Sequence, residues 1–284
     1  MAVISGGFDD QTVTTVVTEE PNVVPELSST YEEADMRMMK HAVYSADVLG
    51  AERIVVDAND TDVIVSCIYF CEKHQTSLEV WVRTDTEVFI PIHKIAASFD
   101  KERCQLLPYF HAFSGKDDTS FIYGLGKKKM WKSLSNIDTK PFQVFAETQG
   151  MDQVPTELIE SSKALVIRAS GGKETDSLAS LRTQNFLAGK SGLLLNLPPT
   201  DDALEQHIKR AALATIITKS FQHQRTLIID FASFGWILQD EGKVNPIMVT
   251  RKALPPNLET VVRCKCKNVV QETVHAVRTM CHAT

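Results

Sequence analysis

The sequence predicts an α/β fold, with a parallel sheet and its helices in the first 90 residues and a mostly helical second part. Two observations carry this. Strand-like and helix-like segments alternate up to residue 90, the order expected of parallel strands joined by helical crossovers. From Ile92 onward helical patterns dominate, separated by caps and turns.

Taken in order, residues 1–27 read as extended. Ala2-Val3-Ile4-Ser5 leads into a Gly6-Gly7 turn, and Thr12 to Val17 is rich in β-branched residues that suit a pleated surface. Pro21 and Pro25 close this segment. A helix is expected from Tyr31 to about Leu49, with Thr30 as N-cap, an apolar face of Ala34, Met38, Ala42 and Leu49, and Gly50 at a left-handed C-cap. Arg53 to Asp57 is a short apolar run expected to form a buried parallel strand. It ends in the turn Ala58-Asn59-Asp60, and the apolar run Val63 to Phe70 follows. Glu79 to Val82 and Glu87 to Ile90 alternate like a hairpin around Thr84-Asp85. Helices are then expected at 92–99, 101–113, 127–135, 154–167 and 176–188. Another runs from Thr200 to Ser220, with Thr200 and Asp201 at its start and Pro198-Pro199 before it. Gly235 to Pro256 reads as turns, and a polar tail follows. There is no internal repeat and no low-complexity tract.

A chain of 284 residues fits one large domain or two modest ones. Its 43% hydrophobic and 23% charged composition is that of an ordinary soluble protein. A net charge of −6 argues against wholesale coating of nucleic acid, but the average hides an asymmetry. Residues 1–36 hold eight acids and no Lys or Arg, whereas 116–132 holds five lysines against two aspartates. Such a local basic patch can bind phosphates on an acidic protein. Met1 to Asp10 lacks a basic start and a long apolar run, so no signal peptide is expected. No apolar stretch approaches a membrane span, so no membrane partner is expected. The six cysteines are too sparse for a disulfide scaffold, which favours a reducing, intracellular setting, the nucleus included. Cys67 and Cys71 lie one helical turn apart beside apolar residues and read as core.

The candidate chemistry lies in three acidic clusters: Glu33 with Asp35, Asp60 with Asp62, and Asp117 in a Gly-Lys-Asp-Asp-Thr turn. Asp60 and Asp62, two apart beyond a strand, would project to one side in extended geometry, at the sheet edge where open α/β folds bind ligands. Carboxylates held that close repel, and a hard divalent cation relieves them. Each cluster also has a plain structural reading. Asp60 or Asp62 would cap the following helix. Glu33 would complete a capping box with Thr30, while Asp35 would favour the positive helix end. Asp117 would be a turn residue. Gly124-Leu125-Gly126 before Lys127, Lys128 and Lys129 is either a loop into a solvated helix or a turn whose amides approach a phosphate.

In combination these motifs resemble the flap-endonuclease and PIN-like nucleases. The order is Glu-x-Asp on a helix, Asp-x-Asp after a strand, a Gly-x-Asp turn, and Gly-x-Gly-Lys-Lys seven residues beyond Asp117. The resemblance implies a three-layer α/β/α parallel sheet with a helix-hairpin-helix segment. It implies that Glu33, Asp35, Asp60, Asp62 and Asp117 hold Mg²⁺ or Mn²⁺ and carry catalysis. It implies that Gly124, Gly126 and Lys127 to Lys129 hold a nucleic-acid backbone, DNA ahead of RNA. A wider likeness covers Glu32 to Arg37, Asp60 to Val63, His111 to Gly115, Gly124 to Lys129, Leu197 to Ala211 and Gly235-Trp236. These segments resemble a large uncharacterised animal family, often long and sometimes mobile-element-like, that ends in a cysteine-rich tail.

Two departures from the pattern matter. Flap-type enzymes also use an Asp on a strand far upstream, and Asp9 and Asp10 fall in an expected hairpin instead. The expectation is therefore an N-terminally truncated core with impaired activity. In the tail Cys264-Lys265-Cys266 is kept, but Cys281 stands alone downstream. Neither spacing nor count matches known zinc modules, so no zinc is expected at Cys264, Cys266 and Cys281. The expected organisation is a partial nuclease core at 1–140, a helical extension at 141–253 and a degenerate tail at 254–284. The competing function is a catalytically inactive nucleic-acid-binding or interaction module of the same fold. A phosphate loop at Ala188-Gly189-Lys190-Ser191 is set aside because Gln184 stands where its leading glycine belongs. Nothing resembles a serine or cysteine triad.

Overall fold

The computed structural model describes residues 2–5, 13–17, 20–27, 33–74, 78–147, 151–189, 196–222, 230–239 and 242–251. Gly6-Gly7, Asp9, Asp10, Thr30 and the tail cysteines Cys264, Cys266 and Cys281 lie outside the described residues. The chain divides into two units, Met1–Met248 and Val249–Thr284, and the elements below belong to the first.

The fold is mixed α/β. The β-branched start forms an antiparallel sheet of β1 (Ala2–Ser5), β2 (Val13–Val17) and β3 (Glu20–Val23). Helix α1 (Ala34–Asp47) follows, and Gly50 beyond it has the expected left-handed backbone, φ +63°. Strand β4 (Arg53–Asp57) has the predicted bounds. It was expected to be a buried strand, but it alternates: Ile54 and Val56 are buried while Val55 is 51% exposed. Only one face of β4 is covered, so period-2 alternation governs it.

Helix α2 (Thr61–Lys73) carries the chain to β5 (Glu79–Arg83), which pairs parallel with β4 from Arg53↔Glu79 to Asp57↔Arg83. The predicted hairpin then appears, because β6 (Phe89–Pro91) pairs antiparallel with β5. The result is a mixed three-stranded sheet in the order β4-β5-β6. Helix α2 packs against α1, α4 and α3, so its Val63, Cys67, Ile68 and Phe70 are all buried. With Met39, Val80, Val82 and Ile92 they form the first core. Burying each such side chain stabilises by about 1.5–3 kcal/mol.

The helices α3 (Ile92–Ser98), α4 (Lys101–Ser114), α5 (Lys127–Ser133), α7 (Thr156–Ala169), α8 (Leu178–Leu187) and α9 (Asp201–Lys219) fall where helices were expected. Thr200 caps α9 as predicted, its hydroxyl accepting from the Ala203 amide at 3.3 Å. Two elements were not foreseen: α6 (Lys140–Glu147), and a hairpin of β7 (Trp236–Leu238) and β8 (Val244–Pro246) within the stretch read as turns. The second core runs from Leu106 to Phe234, and Tyr109, Phe113, Phe142, Phe145, Leu158 and Ile208 are at its centre. The division drawn at residue 140 thus passes through one apolar cluster. Helix α4 serves both cores: Cys104 belongs to the first, and Leu106, Tyr109, Phe110 and Phe113 to the second.

Candidate functional site

The start of α1, the β4–α2 turn and the end of α4 meet at one edge of the sheet, and there the predicted acids gather. Glu33 is the N-cap of α1 with extended backbone (φ −71°, ψ 133°) and no side-chain cap bond. That geometry corrects the capping-box expectation, in which Glu33 would sit inside the helix. Asp35 lies in the first turn of α1, where the helix dipole favours a negative charge. Its carboxyl is nevertheless pushed above the usual range, first by burial and then by Asp60, Asp62 and Glu33, against the pull of Lys116. Asp35 is therefore close enough to feel three other acids, two of them at the start of a separate helix.

Asp60 is the N-cap of α2, and its Oδ1 accepts from the Asp62 amide at 2.9 Å. Asp60 has the expected extended backbone (φ −80°, ψ 135°), but Asp62 does not, because the helix begins at Thr61. Asp62 sits in the first turn of α2 and turns inward. Its Oδ1 lies 2.7 Å from His111 Nε2, and its Oδ2 lies 3.2 Å from Lys116 Nζ. The hydrogen bond from His111 holds the Asp62 carboxyl down at about 2; burial opposes this and Lys116 reinforces it.

His111 carried no role in the sequence reading, although it falls within a matched segment. Lys127 Nζ is 3.0 Å from its Nδ1. An ammonium has no lone pair, so Nδ1 accepts from Lys127 and Nε2–H donates to Asp62. The imidazole is thereby fixed in one tautomer between the lysine run and the acids. No signal in sequence alone could pair residues 49 positions apart.

Asp117 is not among the acids that act on Asp35. It is exposed in the turn after α4, and its charge acts on Lys127. Its neighbour Asp118 is the one that bonds Lys116 Nζ, at 2.7 Å. Lys116 thus bridges Asp62 and Asp118 with its side chain only 13% exposed. Burial opposes its charge, but those two carboxylates outweigh it and raise its pKa. The turn is built on Gly115, whose φ is +106° and where an added Cβ would fall 2.7 Å from Phe121 Cβ. Thr119 locks it, donating to the Ala112 carbonyl at 2.7 Å and accepting from the Lys116 amide at 3.0 Å.

Beyond the turn, Gly124 takes the left-handed region (φ +75°) with open space around it, and Gly126 is the N-cap of α5 with ordinary backbone. Lys127, Lys128 and Lys129 are exposed on α5. Of the three, Lys127 is committed to His111, and burial lowers its pKa despite Asp62 and Asp117.

Glu33, Asp35, Asp62, His111 and Lys116 share the lining of a cavity of about 20 Å³. That is room for one water-sized occupant. Among the described residues no group of three or more His, Cys, Asp or Glu stands in ready ligand geometry. The donor chemistry still fits a hard cation. The donors are carboxylate oxygens, and burial first, then the neighbouring acids, raises the pKa of Asp35. Glu33 and Asp35 are the cavity carboxylates that would face such an ion, with Asp62 already bonded to Lys116.

Comparison with family models, with curated proteins and with solved structures finds no match.

Proposed function

We propose that this chain carries a PIN-like, flap-nuclease-type core of three α/β/α layers and hydrolyses phosphodiester bonds in DNA with Mg²⁺ or Mn²⁺. The observation that supports this reading is that Glu33 and Asp35 at one helix start and Asp62 at another line one small cavity, with Asp60 near enough to act on Asp35. A bound divalent ion would supply Lewis-acid polarisation of the phosphoryl group. The chain's own residues do the rest. Glu33 and Asp35 hold the charge in place, and His111 and Lys116 fix the orientation of Asp62. Asp117 flanks the lysine edge. The loop at 115–126 and the lysines of α5 hold the strand's phosphates, by charge more than by geometry.

The test is cleavage of flapped and single-stranded DNA with Mn²⁺ by the full chain, by Asp35→Asn and by Asp62→Ala. Each substitution is expected to lower the rate by about a hundredfold or more with unchanged circular dichroism. Cleavage that survives both sinks the hydrolase reading.

One observation favours a second reading. The Lys116 ammonium already bridges Asp62 and Asp118, supplying from within the chain a positive charge that a metal would bring. In that reading the fold is a non-catalytic nucleic-acid-binding module. Its mark is DNA binding with no Mn²⁺-dependent cleavage in any variant.

A further inference from the structure

The loop between α4 and α5 points its apolar side chains two ways. Ile122 packs against the second core and Leu125 is buried, whereas Phe121 is 70% exposed and Tyr123 is 51% exposed. Tyr123 stands at the corner of a turn closed by the Leu125 amide on the Ile122 carbonyl, with Gly124 at φ +75° as the next residue. Two large rings are therefore held outward by the residues between and beside them. The holding is firm. Ser120 hydroxyl lies 3.0 Å from His207 Nδ1, and the Leu125 amide donates to the Ile122 carbonyl at 3.0 Å. Phe121 Cβ and Cα sit against Gly115. Exposing two aromatics on an anchored loop gains nothing for folding, since their rings leave water only when something covers them.

The charge beside them says what covers them. Lys128, Lys129 and Lys132 are exposed on α5 and make no ion pair among the described residues. Exposed rings beside uncompensated lysines match a chain that carries stacked bases on a phosphate backbone. In a duplex the base faces are already stacked on one another, so the rings suit unpaired bases.

We infer that Phe121 and Tyr123 form a stacking platform for an unpaired DNA strand, with Lys128, Lys129 and Lys132 holding its phosphates. The choice of DNA rests on the hydrolase reading above; the platform itself selects the unpaired strand over duplex. The fixed loop makes it a preformed surface, so little ordering is needed on binding.

Fluorescence anisotropy with a labelled oligothymidine strand in EDTA reads the platform without cleavage. Phe121→Ala and Tyr123→Ala are each expected to weaken strand binding about tenfold and to change binding of a blunt duplex by less than about twofold. Both leave the salt dependence as it was, whereas Lys128→Ala lowers its slope by about one. At Phe121 alanine keeps the Cβ that rests on Gly115, and unchanged circular dichroism checks that each variant folds. Phe121→Trp and Tyr123→Trp are expected to retain affinity and to show tryptophan quenching by the strand. Strand binding within about twofold of the parent in the double alanine variant overturns the proposal, as does an equal loss for duplex. Tighter binding of oligouridine overturns the choice of DNA. Aromatic-dependent binding without Mn²⁺ cleavage leaves the platform standing and removes the hydrolase reading. Cleavage with undiminished strand affinity in the alanine variants removes the platform alone.

Discussion

Asp62 accepts from His111 at one oxygen and from Lys116 at the other, so its charge is compensated before any ligand arrives. His207 is the opposite case. It is buried, its Nε2 donates to the Phe113 carbonyl at 2.8 Å, and its Nδ1 faces the Ser120 hydroxyl. Burial pushes its pKa down to about 4 from 6.5, with Arg210 adding to the effect. The unfolded chain binds this proton more readily than the folded one, so stability is full above pH 6.5 and falls as pH drops toward 4. A shift of this size corresponds to about 3 kcal/mol. Asp62 acts in a lower window, because its lowered pKa gives stability present above 3.8 and lost toward about 2. Urea denaturation across pH should show both, and His207→Asn should flatten the slope between 6.5 and 4 while leaving the lower one.

At the scale of elements, the segment from α4 to α5 carries most of the candidate site. Helix α4 delivers His111, the Gly115 turn delivers Lys116, Asp117 and Asp118, and α5 delivers the lysines. The turn tolerates no side chain at position 115, both because of its φ of +106° and because of the approach of Phe121. Gly115→Ala is expected to cost about 1–3 kcal/mol and to release Lys116 from Asp62. Chemical denaturation reads the first effect. Elements nearby show where local pattern stops sufficing. Helix α6 is only eight residues long and is held by Phe142 and Phe145 packing 5.6 and 5.4 Å from Tyr109. The β7–β8 hairpin is fixed by Arg210 on α9, which donates to the carbonyls of Gly235 and Ile247. Neither support is visible within its own segment.

Across the whole molecule, α4 ties the two apolar cores together through Cys104 on one side and Tyr109, Phe110 and Phe113 on the other. Charge is unevenly placed among the described residues, with acids at the starts of α1 and α2 and exposed lysines on α5. On a chain of net charge −6, DNA affinity must then depend on the local patch. Lys128→Glu with Lys129→Glu should weaken DNA binding and flatten its salt dependence by about two units of slope, without disturbing the Lys127–His111 contact. Titration at several salt concentrations checks this, and unchanged affinity would make the lysines a solvated face.

Much of the fold was legible because its signals are local. The bounds of β4, the Thr84–Val88 hairpin turn, the left-handed Gly50 and the Thr200 cap all depend on a few neighbouring residues. The candidate site was legible as a set of acids and lysines, but not as an arrangement. Only the tertiary structure put Asp118 on Lys116 and placed His111 between Asp62 and Lys127. The physical reason is that composition and local pattern follow the chain, whereas charge pairing falls off with distance in space. The sequence by itself thus determined which groups are available, and the fold decided which of them neutralise one another.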